Sequence, residues 1–360
     1  MSIIYSVIIP TFNQAEMLRI CLANLAKLDF DSNTFEVLVI DNGSTDDTKG
    51  ATEAFAEMIK NLHYHYCAEP GLMAARHMGC DEAKGEILCY LDQDSLVTKE
   101  WLQGMAESFT HDEVVIAGGP CLPKYEAPPP DWISYFWTET GYGKTNTFLS
   151  LIDFGNEFKM IPPGYIYGCN YALRKRILLE YGGTFPDVYP QGLYQYTGVG
   201  ESGLSFKLQR KGFLAAYNPK ARIDHLIPSS RLTMDYFCWK RSYVVGIHQS
   251  YCDVRRQHGL DAYQAPVPVS LPFKQVIVRS IWRPLGRVKR HILRLLRTVG
   301  FLSATAPAEP PEVLAMKQKI EESFHAGYAF HQESLKKDPK LVEWLLRPDY
   351  LGKNGALPIR

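Results

Sequence analysis

The chain has 360 residues and balances 39 basic against 39 acidic side chains, with 46% hydrophobic and 22% charged residues. These are globular values that exclude a chain disordered throughout, and zero net charge leaves no global footprint for nucleic acid. Its eight cysteines (Cys21, Cys67, Cys80, Cys89, Cys121, Cys169, Cys238 and Cys252) form no Cys-x-x-Cys pair or zinc-spaced cluster, which predicts a reducing compartment rather than a disulfide framework.

The first elements alternate. Residues 5–10 are a short β-branched run ending at Pro10, with no basic residues before it, so they read as a strand and not a secretion signal. Over 14–27, apolar Met17, Leu18, Cys21, Leu22 and Leu25 recur at a helical period. Residues 35–40 predict a second strand, 41–46 a polar turn, and Thr45 or Asp46 the cap of a helix reaching about residue 60. A strand over 62–67, a helix over 72–83, a strand over 86–91, a helix over 99–109 and a strand over 113–118 follow. Strands alternating with helices predict an α/β fold with a mostly parallel sheet flanked by helices. Ligands of such sheets bind outside the carboxyl ends of the strands. The polar clusters there are Pro10-Thr11, Asp41-Asn42 and Asp92-Gln93-Asp94.

From 121 to 167 the periodicity weakens, and Pro128, Pro129 and Pro130 with Trp132, Tyr135, Phe136, Trp137 and Tyr142 predict an irregular excursion. A strand is expected over 168–173, helices over 175–181 and 202–210, a strand over 213–217, and helix over about 231–256. Pro307, Pro310 and Pro311 mark a linker, followed by a helix over 312–335 and a polar tail. No apolar stretch reaches the roughly 18 residues of a spanning helix.

Two aspartates spaced i, i+2 at a strand end, Asp92 and Asp94, can approach one cation when the turn bends. Mg²⁺ or Mn²⁺ is commonly held by one or two carboxylates plus substrate phosphates, and a divalent ion offsets the charge that builds on a departing pyrophosphate. Asp41, at another strand end, can accept hydrogen bonds from a nucleobase imide or a ribose hydroxyl. It also suits an Asx-turn, and the two roles are compatible. Arg76, early on its helix, can meet phosphate oxygens; the alternative is a surface arginine.

Together these segments resemble the family 2 glycosyltransferases of the GT-A fold. The matching pieces are residues 7–13 (VIIPTFN), 39–46 (VIDNGSTD), 71–76 (GLMAAR) with Gly79, 91–94 (LDQD), 168–172 (GCNYA) with Arg174, 182–185 (GGTF) and 200–212 (GESGLSFKLQRKG). The resemblance covers about residues 3–250 and implies a GT-A (Rossmann-like) domain with a helical C-terminal extension. It further implies that Pro10, Thr11 and Asp41 hold the nucleoside and that Arg76 lies near the base or diphosphate. Asp92 and Gln93 join the donor site, and Asp94, Asp92 and His225 are the metal set, Asp94 being the more direct ligand. Neutral imidazole suits Mn²⁺, although a structural histidine is the competing role for His225, and Arg231 can assist phosphate.

The family inverts the anomeric centre with one general base. It commonly carries a Glu-Asp pair at the start of the helix after the acceptor loop, whereas this chain has Glu201-Ser202. Serine cannot act as the base, so Glu201 is assigned that role, with helix capping as the alternative. The expected activity is transfer from a nucleotide-sugar, UDP before TDP or GDP, to a hydroxyl on a glycan, a lipid-linked sugar or a small metabolite. The alternative is a nucleotide-binding relative that has lost catalysis. A nucleotidyltransferase is disfavoured because residues 11–15 are not a glycine-rich phosphate loop. Trp132, Trp137 and Tyr142 either stack on an acceptor sugar or pack internally.

The expected organisation is a catalytic domain over 1–225 (nucleotide half 1–120, acceptor half 121–225), a helical region over 226–302, and a linker, helix and tail over 303–360. Within 279–302, Arg279, Arg283, Arg287, Lys289, Arg290, Arg294 and Arg297 alternate with apolar residues. Such a helix either lies on an anionic membrane surface or packs its apolar face on the protein. The expected location is therefore cytoplasmic, with peripheral contact at the inner face of the membrane as the variant this segment allows.

Overall fold

The computed structural model describes residues 2–184, 200–260 and 309–347. The basic segment 279–302 and residues 303–308 of the proline-marked linker lie outside the described residues.

In chain order the elements are β1 (Tyr5–Thr11), α1 (Ala15–Leu25), β2 (Phe35–Asp41), α2 (Thr48–Glu53), β3 (Leu62–Tyr66), α3 (Leu72–Glu82) and β4 (Ile87–Leu91). Next come β5 (Ser95–Val97), α4 (Trp101–Ser108), β6 (Val114–Gly118), β7 (Cys121–Tyr125), β8 (Thr138–Glu139), β9 (Lys144–Asn146), β10 (Leu151–Asp153) and β11 (Lys159–Ile161). The rest are β12 (Asn170–Arg174), α5 (Lys175–Glu180), α6 (Gly200–Arg210), β13 (Leu214–Tyr217), β14 (Ile223–Ile227), α7 (Tyr243–Gln257), α8 (Pro311–Lys337) and α9 (Pro339–Leu345).

The larger sheet has eight strands in the order β11-β13-β6-β12-β4-β1-β2-β3. Its centre is parallel: β1 pairs in parallel with β2 and β4, and β2 with β3. Every residue of β2 and β4 is buried, as expected for strands covered on both faces. The charged exceptions are Asp41 at the end of β2 and Glu36, which accepts Ser6 Oγ and the Lys84 amide, both at 2.7 Å. Helix α1 turns Leu18, Cys21, Leu22 and Leu25 into the core, the residues of its apolar stripe. Strand β12 runs antiparallel between β4 and β6, so the chain enters β12 where β4 ends.

Two expectations are corrected. The helix after the 41–46 turn stops at Glu53; tight turns follow, with Ile59 N donating to Phe55 O at 2.9 Å, and they bury Ile59 ahead of β3. The 121–167 excursion is not irregular but supplies most of a second, six-stranded sheet, β5-β14-β7-β10-β9-β8. Its strands are two to five residues long, too short for a period to show, and β14 and β5 come from elsewhere in the chain. Trp132 meets Phe136 and Phe237 edge-on, at 5.7 and 5.1 Å, and Tyr142 packs against Phe154 and Tyr165. Internal packing is thus the role seen for both.

The helical region from 231 begins with a short turn and a π-helical segment, Tyr236–Ser242, before α7. Helix α7 lies along α8, and Tyr251 and Val254 join Leu341, Trp344 and Leu345 of α9 in a small core. Among the described residues, no helix is long and apolar enough to cross a membrane.

Candidate active site

Parallel pairing puts the carboxyl ends of β1, β2 and β4 on one edge. Thr11 is in register with Asp41, and Asp41 with Tyr66. Asp41 is 3% exposed. Its Oδ1 accepts the Ser44 amide at 2.8 Å and its Oδ2 the Tyr64 hydroxyl at 2.7 Å. The Asx-turn is therefore formed, and each oxygen keeps a second lone pair. Pro10 is buried beside Thr11.

The segment Asp92-Gln93-Asp94 bridges β4 of the large sheet to β5 of the second. Strand β14 pairs antiparallel with β5, setting His225 opposite Ser95, and the Leu226 amide donates to Asp94 O at 2.8 Å. That pairing brings His225 Nε2 to 3.4 Å from Asp94 Oδ1. Arg231 Nη2 lies 3.0 Å from Asp94 Oδ2. The His225 ring is anchored from behind by the Leu149 carbonyl, 3.1 Å from Nδ1. A backbone partner on one ring nitrogen fixes which nitrogen faces the site.

Arg76 is 2% exposed, not a surface arginine. Its Nη1 donates to Glu201 Oε2 at 2.9 Å, and its Nη2 to Asp92 Oδ1 and Gly168 O, each at 3.0 Å. The guanidinium carbon sits 5.6 Å from the Tyr90 ring centre. Glu201 opens α6 with its carboxylate turned inward, while Ser202 is exposed. Gly168 lies against this pair, and a Cβ there would overlap the Glu201 carboxylate and the Arg76 guanidinium.

These contacts set the charge states. Burial works against the Arg76 charge, but Glu201 and Asp92 outweigh it and hold the guanidinium firmly protonated. Burial raises Asp92 despite Arg76, and the carboxylates of Asp94 and Glu201 add to the rise. Burial also opposes ionisation of Asp94, yet His225 and Arg231 overcome it and hold the carboxyl below its usual range. The His225 imidazole is raised: burial opposes its charge, and Cys169 and Asp94 outweigh burial.

The structure thus gathers Arg76, Asp92 and Glu201 in one cluster, joins Asp94, His225 and Arg231 in another, and links the two through Gln93. Thr11 and Asp41 stand on adjacent strand ends. The sequence did not single out Tyr64, which fixes Asp41, and it placed Asn42 at the ligand edge without a role; the Asn42 side chain accepts the Gly71 amide at 2.8 Å and donates to Glu69 O at 2.6 Å at the start of α3. Asn42 carried a signal as an Asx residue in a turn; Tyr64 depends on the β2–β3 register and carried none.

Thr11 Oγ1, Arg76 Nε, Gln93 Oε1, Asp94 Oδ1 and Ser95 Oγ are all buried without a hydrogen-bond partner among the described residues. Buried polar atoms are normally paired, so their concentration at one edge marks a place built for a polar ligand. Among the described residues, no three His, Cys, Asp or Glu side chains form a self-contained metal site. The donor set fits instead a hard cation that shares its ligands with phosphate oxygens: a carboxylate oxygen without a hydrogen bond, Asp94 Oδ1, beside an oriented imidazole.

Comparison with known proteins places the chain in a family. Residues 6–181 match the family described as "Glycosyl transferase family 2". The chain is 36% identical over 115 residues to glycosyltransferase AglE of Haloferax volcanii, covering 32% of this chain and 38% of that protein. It is 34% identical over 104 residues to the poly(ribitol-phosphate) beta-N-acetylglucosaminyltransferase TarS of Staphylococcus aureus, covering 28% of this chain and 18% of that protein. The matched stretches thus span well under half of either relative. Among solved structures, the mannosyltransferase PcManGT of Pyrobaculum calidifontis, in complex with GDP-Man and Mn²⁺, superposes with a TM-score of 0.52 at 18% identity, over 95% of this chain and 84% of that one. That likeness shows a shared GT-A fold.

Proposed function

This chain belongs to glycosyl transferase family 2 through residues 6–181, and from that premise we propose that it moves a sugar from a nucleoside-diphosphate sugar to a hydroxyl acceptor with inversion. UDP-sugars are the favoured donors. The acceptor is a hydroxyl on a glycan, a lipid-linked sugar or a small metabolite. The observation that carries this reading is the convergence of Asp41, Asp92 and Asp94 on one sheet edge, with the Arg76–Glu201 pair beside them. The eight free cysteines, seven of them buried, suit action in a reducing, cytoplasmic setting. We assign catalysis to residues 1–225 and the remainder to a helical extension.

In this reading Pro10, Thr11 and Asp41 seat the nucleoside, with a second lone pair of Asp41 accepting from a uracil imide. Asp94 and His225, with Asp92 and Gln93 alongside, face the diphosphate. Bound there, Mn²⁺ or Mg²⁺ supplies Lewis-acid stabilisation of the leaving diphosphate. Glu201 takes the proton of the attacking hydroxyl as its oxygen bonds to the anomeric carbon and the bond from that carbon to the diphosphate breaks. Arg76 Nη1 donates to Glu201 Oε2 and aims the carboxylate, so the serine that follows it is no obstacle.

Release of nucleotide from UDP-, GDP- and TDP-sugars tests this. Glu201→Gln is expected to lower kcat by about 10²–10⁴-fold, the usual worth of a placed base, with donor KM changed only a few-fold. Near-normal turnover in Glu201→Gln would remove the base assignment. Binding of nucleotide by the wild type with no release from any of the three donor classes would favour a non-catalytic relative.

A further inference from the structure

Arg231 stands where a cation is wanted. Its Nη2 lies 3.0 Å from Asp94 Oδ2 and its Nη1 3.3 Å from His225 Nε2. These are the carboxylate and the ring nitrogen that face the diphosphate position in the function proposed above. A guanidinium keeps its charge at any working pH and forms directed hydrogen bonds. It therefore gives the Asp94 side chain, 14% exposed, a permanent counter-charge beside the titratable His225 ring.

The mounting of Arg231 suits a side chain that moves. Its backbone belongs to the short turn Ser229–Arg231 just after β14. That turn is pinned by the Ser229 amide donating to Glu126 Oε2 at 2.8 Å and by the Arg231 amide donating to Pro228 O at 2.9 Å. The side chain itself is 31% exposed, and among the described residues its polar contacts at the site are to Asp94 and His225. Arg76, in contrast, is buried and held by Glu201, Asp92 and Gly168 together. One arginine is thus fixed and the other is free to leave.

We infer that Arg231 is a built-in competitor for the divalent ion: it occupies Asp94 and His225 while the donor is absent, and passes to the donor diphosphate when ion and nucleotide enter together. This rests on the proposed function. Two cations cannot share one carboxylate and one imidazole nitrogen without repulsion, so Arg231 has to give way. The diphosphate offers it oxygens of the geometry a guanidinium prefers. Because the nucleotide draws Arg231 off Asp94, nucleotide and ion strengthen each other's binding, and the coupling is reciprocal. Arg231 is in this role a positioning residue for the metal-bound donor.

Mn²⁺ titration of the full chain by electron paramagnetic resonance, with and without UDP or GDP, tests the inference. Without nucleotide, Arg231→Gln is expected to bind Mn²⁺ about tenfold more tightly than wild type, a modest share of the pair's Coulomb energy because both groups touch solvent. The enhancement of Mn²⁺ binding by nucleotide should shrink by a similar factor. Asp94→Asn should abolish Mn²⁺ uptake in both backgrounds, which ties the signal to this site. Equal or weaker Mn²⁺ binding by Arg231→Gln in the absence of nucleotide overturns the inference while leaving the proposed function standing. No Mn²⁺ uptake by the wild type, with or without either nucleotide, overturns both.

Discussion

At the residue scale the site is organised by one buried guanidinium. Arg76 is desolvated on every side, and two carboxylates and a carbonyl make that burial tolerable. Removing one partner of such a cluster is costly because the other charges stay behind uncompensated. Glycine at 168 is part of the same arrangement, since a Cβ there would have to push aside the Glu201 carboxylate and the Arg76 guanidinium. Gly168→Ala is therefore predicted to cost about 1–3 kcal/mol, the usual penalty of overpacking, and to reduce turnover more than donor binding, because it displaces Glu201 rather than Asp41. Urea denaturation and a kcat against KM comparison check this; unchanged kcat in a folded Gly168→Ala protein would mean that the contact has no catalytic consequence.

At the scale of elements, α7 and α8 are joined by a buried polar contact, with Ser250 Oγ 2.7 Å from His331 Nδ1. Burial holds His331 neutral, its pKa lowered to about 4 from 6.5. His248, on the same helix pair, is lowered to about 4 by burial, Arg241 and His331. Between pH 6.5 and 4 the unfolded chain binds protons on these rings that the folded chain does not. Their contribution is thus complete above pH 6.5 and is lost as pH falls through 4, up to about 3 kcal/mol for the fully buried His331. Urea midpoints at pH 7 and pH 5 should fall further in wild type than in His331→Gln, and equal falls would contradict the assignment. The parallel core of elements was legible, because runs such as residues 35–40 and the stripe of α1 carry their own period. The second sheet was not, because β8, β9 and β10 are too short to have one. The placement of His225 also depends on β14 pairing with β5 across more than a hundred residues of chain. Asp41, Asp92 and Asp94 could be read together because a parallel sheet forces its strand ends onto one edge; the grip of Arg76 on Glu201 could not, because it needs β12 to reverse direction at Gly168.

At the scale of the whole molecule, two sheets meet at Asp92-Gln93-Asp94, and the acidic residues belong to the joint rather than to either sheet. Glu201 comes from α6 and His225 from β14, so the candidate site is complete only when the parts before and after 121–167 have docked. In the proposed function this joint receives a nucleoside diphosphate through a divalent ion. The most direct measurement is a thermal-shift screen of UDP, GDP and TDP, each with and without Mn²⁺, on wild type and Asp94→Asn, because a ligand that binds only the folded chain raises its melting temperature. At least one nucleotide is predicted to stabilise the wild type strongly with Mn²⁺ and weakly without, and the Mn²⁺-dependent part is predicted to vanish in Asp94→Asn. No Mn²⁺-dependent shift with any of the three, or an equal shift in Asp94→Asn, would contradict the account.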